Sequence, residues 1–156
     1  MDVYQCLRSR RTVRDYNPDP IPQELVRRIL QAGRWAPSSS NTQKWHFIVI
    51  QERDTLQALG KIATQGTFIA QAPLTIAIVM DDAPRPQLDA GRALQQMELM
   101  AWSSMMASIR QDKEPLTRRA WLLSRTLVGG FVLGRVALIR AWLLIIRGHH
   151  REVQLL

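Results

Sequence analysis

The stretch APSSSNTQKWHFIVI, residues 36–50, joins a polar loop directly to an apolar strand. Residues 36–43 have the composition of a loop, because serine, asparagine and proline favour turns. The run Trp45–Ile50 is aromatic and β-branched, and it is long enough for one buried strand. The hydroxyl and amide groups of the loop are neutral donors and acceptors, which suits the polar edge of a ring-shaped ligand. On composition alone, however, a plain turn is the better explanation of this loop.

A second polar element lies upstream, where residues 10–16 have the sequence RRTVRDY. Arg10, Arg11 and Arg14 bring three guanidinium groups together with the hydroxyl group of Thr12. Arginine offers bidentate donors and threonine offers an O–H group, so this set can surround a phosphate dianion. A solvated basic patch explains the segment equally well, because short motifs over-predict function.

The elements around these two segments are predicted from periodicity and from turn residues. A short helix over Val3–Ser9 delivers the arginines, and prolines at 18 and 20 predict a turn. The next helix is predicted to start at Pro22 and to stop at Gly33. Downstream we expect an amphipathic helix over residues 54–64, a buried strand over 74–80 and a long helix over 88–109.

The long helix carries apolar side chains on most of its faces. We therefore expect it to be buried nearly all round, which in so short a chain indicates a helix at a subunit interface.

The charge of the chain is distributed unevenly. The formal net charge is +8, but residues 1–109 contain 12 Lys/Arg and 10 Asp/Glu, whereas residues 110–156 contain 9 Lys/Arg and 3 Asp/Glu. The basicity therefore belongs mostly to the last 47 residues, and a global field for nucleic acid is not indicated in the first 109. Within residues 120–146, Arg125, Arg135 and Arg140 interrupt the apolar run before it reaches the ~18–20 residues that a membrane span needs.

These observations predict neither a nucleic-acid nor a membrane partner. The single cysteine, Cys6, cannot form an internal disulfide, and the N-terminus does not have the pattern of a signal peptide, so we expect a cytoplasmic protein. His149 and His150 have no nearby Cys or His to complete a metal site, so no metal is predicted. Cys6 is interpreted as a small buried hydrophobe and His46 as a structural residue.

Taken together, the two polar segments resemble the N-terminal half of proteins of the nitroreductase family. The members of this family are FMN-dependent α+β homodimers. The shared order is a short helix, Arg-Arg-Thr/Ser-x-Arg-x-Tyr/Phe, a proline-flanked helix, Ala-Pro-Ser-Ser-x-Asn-x-Gln-x-Trp-x-Phe and a strand. The resemblance continues into the long helix through Asp89-Ala90-Gly91 and covers about residues 3–108.

The resemblance implies an α+β, nitroreductase-like fold with a short, mainly antiparallel sheet flanked by helices. It implies an incomplete FMN-binding domain over residues 1–109, followed over 110–156 by an atypical basic and apolar tail. The phosphate of FMN would be held by Arg10, Arg11, Thr12 and Arg14. The flavin would be lined, from the partner subunit of a homodimer, by Pro37, Ser38, Ser39 and Asn41, with Gln43 nearby. No side chain is implied as a catalytic group.

Family members pass hydride from NADH or NADPH through FMN to nitroaromatic, quinone or similar small-molecule acceptors, and the resemblance implies the same activity here. The chain departs from the family pattern at two places. Lys44 stands where proline is usual, and residues 105–108 keep only the serine, Ser108, of the family's Gly-x-Gly-Ser element.

Beyond Ile109 none of the family's C-terminal motifs is found, so the C-terminus is interpreted as atypical or truncated. A replaced or frame-altered terminus would explain this difference, and so would ordinary divergence. Two alternatives stay open. One is a degenerate, flavin-free relative acting as a dimeric or interaction module. The other is a basic protein that binds membrane surfaces or nucleic acid through its +6 tail.

Overall fold

Helices and short strands alternate along the chain in the computed structural model, which describes residues 2–14, 16, 19–63, 66–112 and 154–155, with side chains described up to Met105. The elements are α1 (Val3–Ser9), α2 (Gln23–Arg34), β1 (Trp45–Ile50), α3 (Arg53–Ile62), β2 (Thr75–Met80), α4 (Pro86–Asp112) and β3 (Gln154–Leu155). Two 3₁₀ turns, Ser39–Asn41 and Thr67–Gln71, precede β1 and β2. The predictions for residues 113–153, for Asn17 and Pro18, and for Thr64 lie outside the described residues.

The sheet is short and antiparallel, which confirms the predicted α+β fold. Strand β1 pairs with β2 along its whole length, from Trp45 opposite Met80 to Ile50 opposite Thr75. Strand β3 adds two residues to the other edge of β1, so β1 is the central strand. Two residues of the C-terminal tail, Gln154 and Leu155, therefore add a short edge strand to the sheet.

The alternation of side chains along β1 gives the sheet two apolar faces. Trp45 and Phe47 lie in the larger core, which α2 and α4 cover. Ile48 and Ile50 lie in a smaller core together with Leu56 of α3. Consequently α3 and α4 pack on opposite faces of the sheet.

The ends of α1, α2 and α3 show local capping. A carboxylate oxygen of Asp2 accepts a hydrogen bond from the backbone N–H of Gln5, and Glu52 caps α3 in the same way. Pro22 lies one residue outside α2 rather than at its first helical position, and its carbonyl accepts the first backbone bonds of that helix.

Gly33 does not stop α2, as the sequence predicted, because the helix continues through Arg34. The glycine lies where α2 meets α4 and β1. A Cβ atom there would lie 2.7 Å from Sδ of Met97 and 3.0 Å from Cζ of Phe47, and both side chains are buried. The position therefore serves close packing rather than helix termination.

We expect Gly33→Ala to lower the free energy of unfolding by about 1–3 kcal/mol, because the added methyl group overpacks this contact. Gly91→Ala is the matched control, since a Cβ atom at this exposed position in α4 meets nothing within 4 Å. That control should instead gain about 0.5–1 kcal/mol from helix propensity. Urea denaturation measures both effects, and equal effects of the two substitutions would contradict the packing role of Gly33.

Helix α4 is longer than predicted and is less evenly buried. It begins at Pro86 and continues to Asp112, past residue 109. Among its side chains up to Met105, one apolar stripe is buried in the single chain, formed by Ala90, Ala93, Met97, Ala101 and Met105, next to the buried Asp89. Leu94, Leu99, Met100 and Trp102 are half-buried, and Leu88 is exposed. Within the single chain, α2 and the sheet cover one side of this helix. The expected burial of its other side at a subunit interface stays a prediction.

No helix within the described ranges is long and apolar enough to cross a membrane.

Candidate functional site

The arginine segment, residues 10–16, begins where the C-terminal end of α1 contacts the middle of α4. The indole Nε1 of Trp102 donates a hydrogen bond to the hydroxyl oxygen of Ser9 over 2.9 Å. One residue later, the guanidinium group of Arg10 forms an ion pair with the carboxylate of Glu98 at 3.5 Å. The side chain of Glu98 is 14% exposed and that of Arg10 is 30% exposed, so part of the arginine side chain stays open to solvent.

Cys6 lies under the same junction and is buried, as predicted. Its thiol group contacts the backbone carbonyl oxygen of Leu99, with Sγ 3.4 Å from that oxygen. Burial raises the pKa of the Cys6 thiol, while the nearby charge of Arg10 acts in the opposite direction. The thiol group is therefore neutral near pH 7 and serves packing rather than nucleophilic chemistry.

Arg11 folds back onto the C-terminal end of α1. One terminal nitrogen of its guanidinium group lies 3.2, 3.3 and 3.2 Å from the carbonyl oxygens of Arg8, Ser9 and Arg10, respectively. A cation at this position complements the partial negative charge of a helix C-terminus. The side chain nevertheless stays exposed, so it can turn toward an anion without opening the core.

Thr12 and Arg14 complete the segment on the surface. Both residues are exposed. The guanidinium carbon of Arg14 lies 5.3 Å from the ring centroid of Phe68, in the 3₁₀ turn before β2. A guanidinium group over an aromatic ring is held only weakly. Its N–H groups lie in the plane of the guanidinium group, where they can still donate hydrogen bonds to an anion.

The loop before β1 has an unusual backbone. Ser40, Asn41 and Gln43 have φ angles of 53°, 53° and 49°, which place three non-glycine residues in the left-handed region. This conformation costs roughly 1–2 kcal/mol for most residues and less for asparagine, and residues held in this way cluster at functional sites. The Gln43 backbone N–H donates to Oγ of Ser38 over 2.9 Å, and the Gln43 side-chain amide donates to Oδ1 of Asn41 over 3.0 Å.

This loop is attached to the first turns of α4 by Asp89, which is fully buried. One carboxylate oxygen, Oδ1, accepts hydrogen bonds from the backbone N–H of Ser39 at 2.9 Å and from its hydroxyl group at 3.1 Å. Arg92 approaches the same oxygen at 3.4 Å. The other oxygen, Oδ2, has no hydrogen-bond partner within the described part of the chain.

Sequence reasoning noticed Asp89 only as the start of the long helix. The bond to Ser39 spans 50 residues, and an acidic residue in a first helical turn is ordinarily explained by the helix dipole. No local signal in the sequence reveals such a contact.

The two predicted segments contact α4 at different levels. The arginine segment is attached at Glu98 and the loop at Asp89. Nine residues of α-helix separate these positions, which corresponds to ~14 Å along the helix axis. Within the loop, Pro37, Asn41 and Gln43 are exposed, and Ser38 and Ser39 are half-buried.

The short antiparallel sheet with helices on both faces makes this chain an α+β protein. Residues 7–83 match the model of the Nitroreductase family. That part of the chain belongs to the nitroreductase family.

Similar proteins agree with this assignment. The NADH dehydrogenase of Thermus thermophilus is 33% identical over 81 residues, covering 52% of this chain and 40% of that protein. The FMN reductase (NAD(P)H) of Bacillus subtilis is 30% identical over 80 residues, covering 51% of this chain and 32% of that protein. An FMN-dependent nitroreductase from Clostridium difficile superposes with a TM-score of 0.59 at 30% identity, covering 66% of this chain and 62% of that one. The match thus spans less than half the length of the two curated relatives.

Proposed function

We propose that this protein binds FMN and passes hydride from NADH or NADPH, by way of the flavin, to a small-molecule acceptor such as a nitroaromatic compound or a quinone. Membership of residues 7–83 in the nitroreductase family supports the proposal. So do relatives named as an FMN reductase and an FMN-dependent nitroreductase. The observation that carries it is the loop before β1, whose left-handed residues are held in place by a buried carboxylate.

The arginine segment fits the phosphate end of FMN. Arg11, Thr12 and Arg14 are exposed and Arg10 is partly exposed, so their donors can reach a dianion from solvent. Guanidinium groups form short, charge-assisted hydrogen bonds with phosphate oxygens, and a hydroxyl group adds a further donor. We assign these four residues to the phosphate.

The loop fits the ring end of FMN. The bond between Gln43 and Asn41 uses one donor and one acceptor of their two side-chain amides. The amide nitrogen of Asn41 and the carbonyl oxygen of Gln43 can then pair with the ring edge, which carries both donors and acceptors. Ser38 and Ser39 fix the turn, and Pro37 gives an exposed apolar surface beside it. These five residues are assigned to the flavin.

When bound, the flavin itself supplies the hydride chemistry, so the protein need only bind, orient and shield it. The thiol group of Cys6 is neutral and buried, which agrees with a protein that contributes no nucleophile of its own.

The proposed assembly is a homodimer in which the loop of one subunit approaches the arginine segment of the other. The exposed apolar side chains of Val3, Tyr4 and Leu7 on α1 support an interface with a second copy of the chain. We assign the flavin-binding domain to residues 1–109 and the tail to 110–156, and we propose a cytoplasmic location. Helix α4 crosses the boundary between the two parts, and β3 pairs with β1.

Anaerobic mixing of FMN-loaded protein with NADH or NADPH tests the proposed activity. The visible absorption band of oxidised flavin should bleach faster than that of free FMN under the same conditions. Addition of a nitroaromatic compound or a quinone should then restore the band. Reduction no faster than that of free FMN, with both nucleotides, would contradict the proposed activity.

A further inference from the structure

The loop before β1 adopts a conformation that its own sequence does not favour. None of its left-handed residues, Ser40, Asn41 and Gln43, is a glycine. Asparagine visits this region more easily than most residues, but serine and glutamine do not share that advantage. A contact outside the loop must therefore help to hold it.

Asp89 provides that contact. The carboxylate group binds both the backbone and the side chain of Ser39, the first residue of the 3₁₀ turn. A charged acceptor makes stronger hydrogen bonds than a neutral one, and complete burial excludes the water that would compete for them. The loop is thus joined to α4 at the residue just before its left-handed segment.

The position is also an expensive one for an acidic residue. Asp89 is fully buried, Arg92 is its described counter-charge at 3.4 Å, and Oδ2 has no partner within the described ranges. Packing alone would be served as well by an apolar side chain of similar volume, because an unsatisfied buried polar atom is destabilising. What the carboxylate provides is the geometry of the loop.

We propose that Asp89 is a positioning residue for the ring end of the flavin site. By fixing Ser39, it keeps Ser40, Asn41 and Gln43 left-handed and presents the amides of Asn41 and Gln43 to the ring before the flavin arrives. This inference rests on the proposed binding of FMN, and it adds a residue that need not touch the flavin.

The test uses Asp89→Ala and the milder Asp89→Asn in the full-length protein. Asp54→Asn is the matched control, because Asp54 is an exposed carboxylate in the first turn of α3, a helix on the other face of the sheet. Amide hydrogen exchange of residues 38–43 is measured in the flavin-free proteins. The affinities for FMN and for riboflavin are then measured by fluorescence titration.

For Asp89→Ala we expect exchange of the loop amides to rise by about tenfold or more, with β1 and β2 still protected. The affinities for FMN and riboflavin should fall by the same factor, about tenfold, because both ligands carry the ring. Asp89→Asn should give smaller changes of the same kind, since its amide oxygen can still accept from Ser39. Asp54→Asn should change neither measurement.

Unchanged loop exchange in both Asp89 variants would overturn the inference, and so would a loss confined to FMN. If Asp89→Ala does not fold, Asp89→Asn decides by the same two measurements. Wild-type protein that binds neither FMN nor riboflavin would instead refute the proposed function. Wild-type binding that persists unchanged in the Asp89 variants refutes only the positioning role.

Discussion

Replacing Arg14 by alanine is expected to weaken FMN binding roughly 10- to 100-fold while leaving riboflavin binding nearly unchanged. Riboflavin lacks the phosphate, so only FMN loses the contact. A hydrogen bond to a charged group contributes about 1.5–3 kcal/mol, which sets the size of the effect. Arg14 is the most informative of the arginines because it is exposed and its described contact is with the ring of Phe68, so its removal leaves the core intact.

Arg53→Ala is the matched control for this experiment. It removes the same charge from an exposed position at the start of α3, on the other face of the sheet, and should change neither affinity. Fluorescence titration of each variant with both ligands at one salt concentration separates a local phosphate contact from a general electrostatic effect. If Arg14→Ala lowers the affinities for FMN and riboflavin equally, the arginine segment is better interpreted as a solvated basic patch.

Leu7→Glu is expected to convert the proposed dimer into monomers. Helix α1 packs on α4 yet leaves Val3, Tyr4 and Leu7 exposed to 73%, 70% and 56%. These side chains give α1 an exposed apolar face, and exposed apolar surface of this kind marks an interaction site. A two-fold axis would place the same face in the interface twice, so each dimer would bury two unpaired carboxylates.

Ile62→Glu is the control for this substitution. Ile62 is 66% exposed, comparable to Leu7, but it lies at the end of α3 on the opposite face of the sheet. Sedimentation velocity should show a dimer for the wild type and for Ile62→Glu, and a monomer for Leu7→Glu. A well-folded wild-type monomer would remove the interface altogether. A Leu7→Glu variant that stays dimeric would place the interface elsewhere.

The strands could be predicted because their signals are local. Trp45–Ile50 was placed at its observed bounds from aromatic and β-branched side chains, and the second strand was misplaced by only one residue. The same holds for Val3–Ser9, whose bounds the structure reproduces. Packing between distant segments could not be predicted in this way. Gly33 has the local signature of a helix stop, and its real constraint comes from Met97, 64 positions further along the chain.

The residues of the candidate site likewise fall into those that the sequence reveals and those that only the fold reveals. Its residue types and their order along the chain are visible in the sequence, so the nine proposed flavin contacts could be named in advance. The residues that hold those side chains could not be named, because Glu98, Phe68 and Asp89 meet them only in the folded chain. For α4 the composition shows that most faces are apolar, but not which of them the same chain covers and which are left for a partner.

The visible absorption spectrum of the purified, undenatured protein, followed by titration with FMN, tests the flavin site most directly. The protein should be yellow as isolated or should become so on taking up FMN in stoichiometric amount, and heating should release a flavin that migrates as FMN. Colourless protein that takes up no added FMN would contradict the proposed site. In that case the chain would be a flavin-free relative that keeps the fold of the family and functions through its interactions.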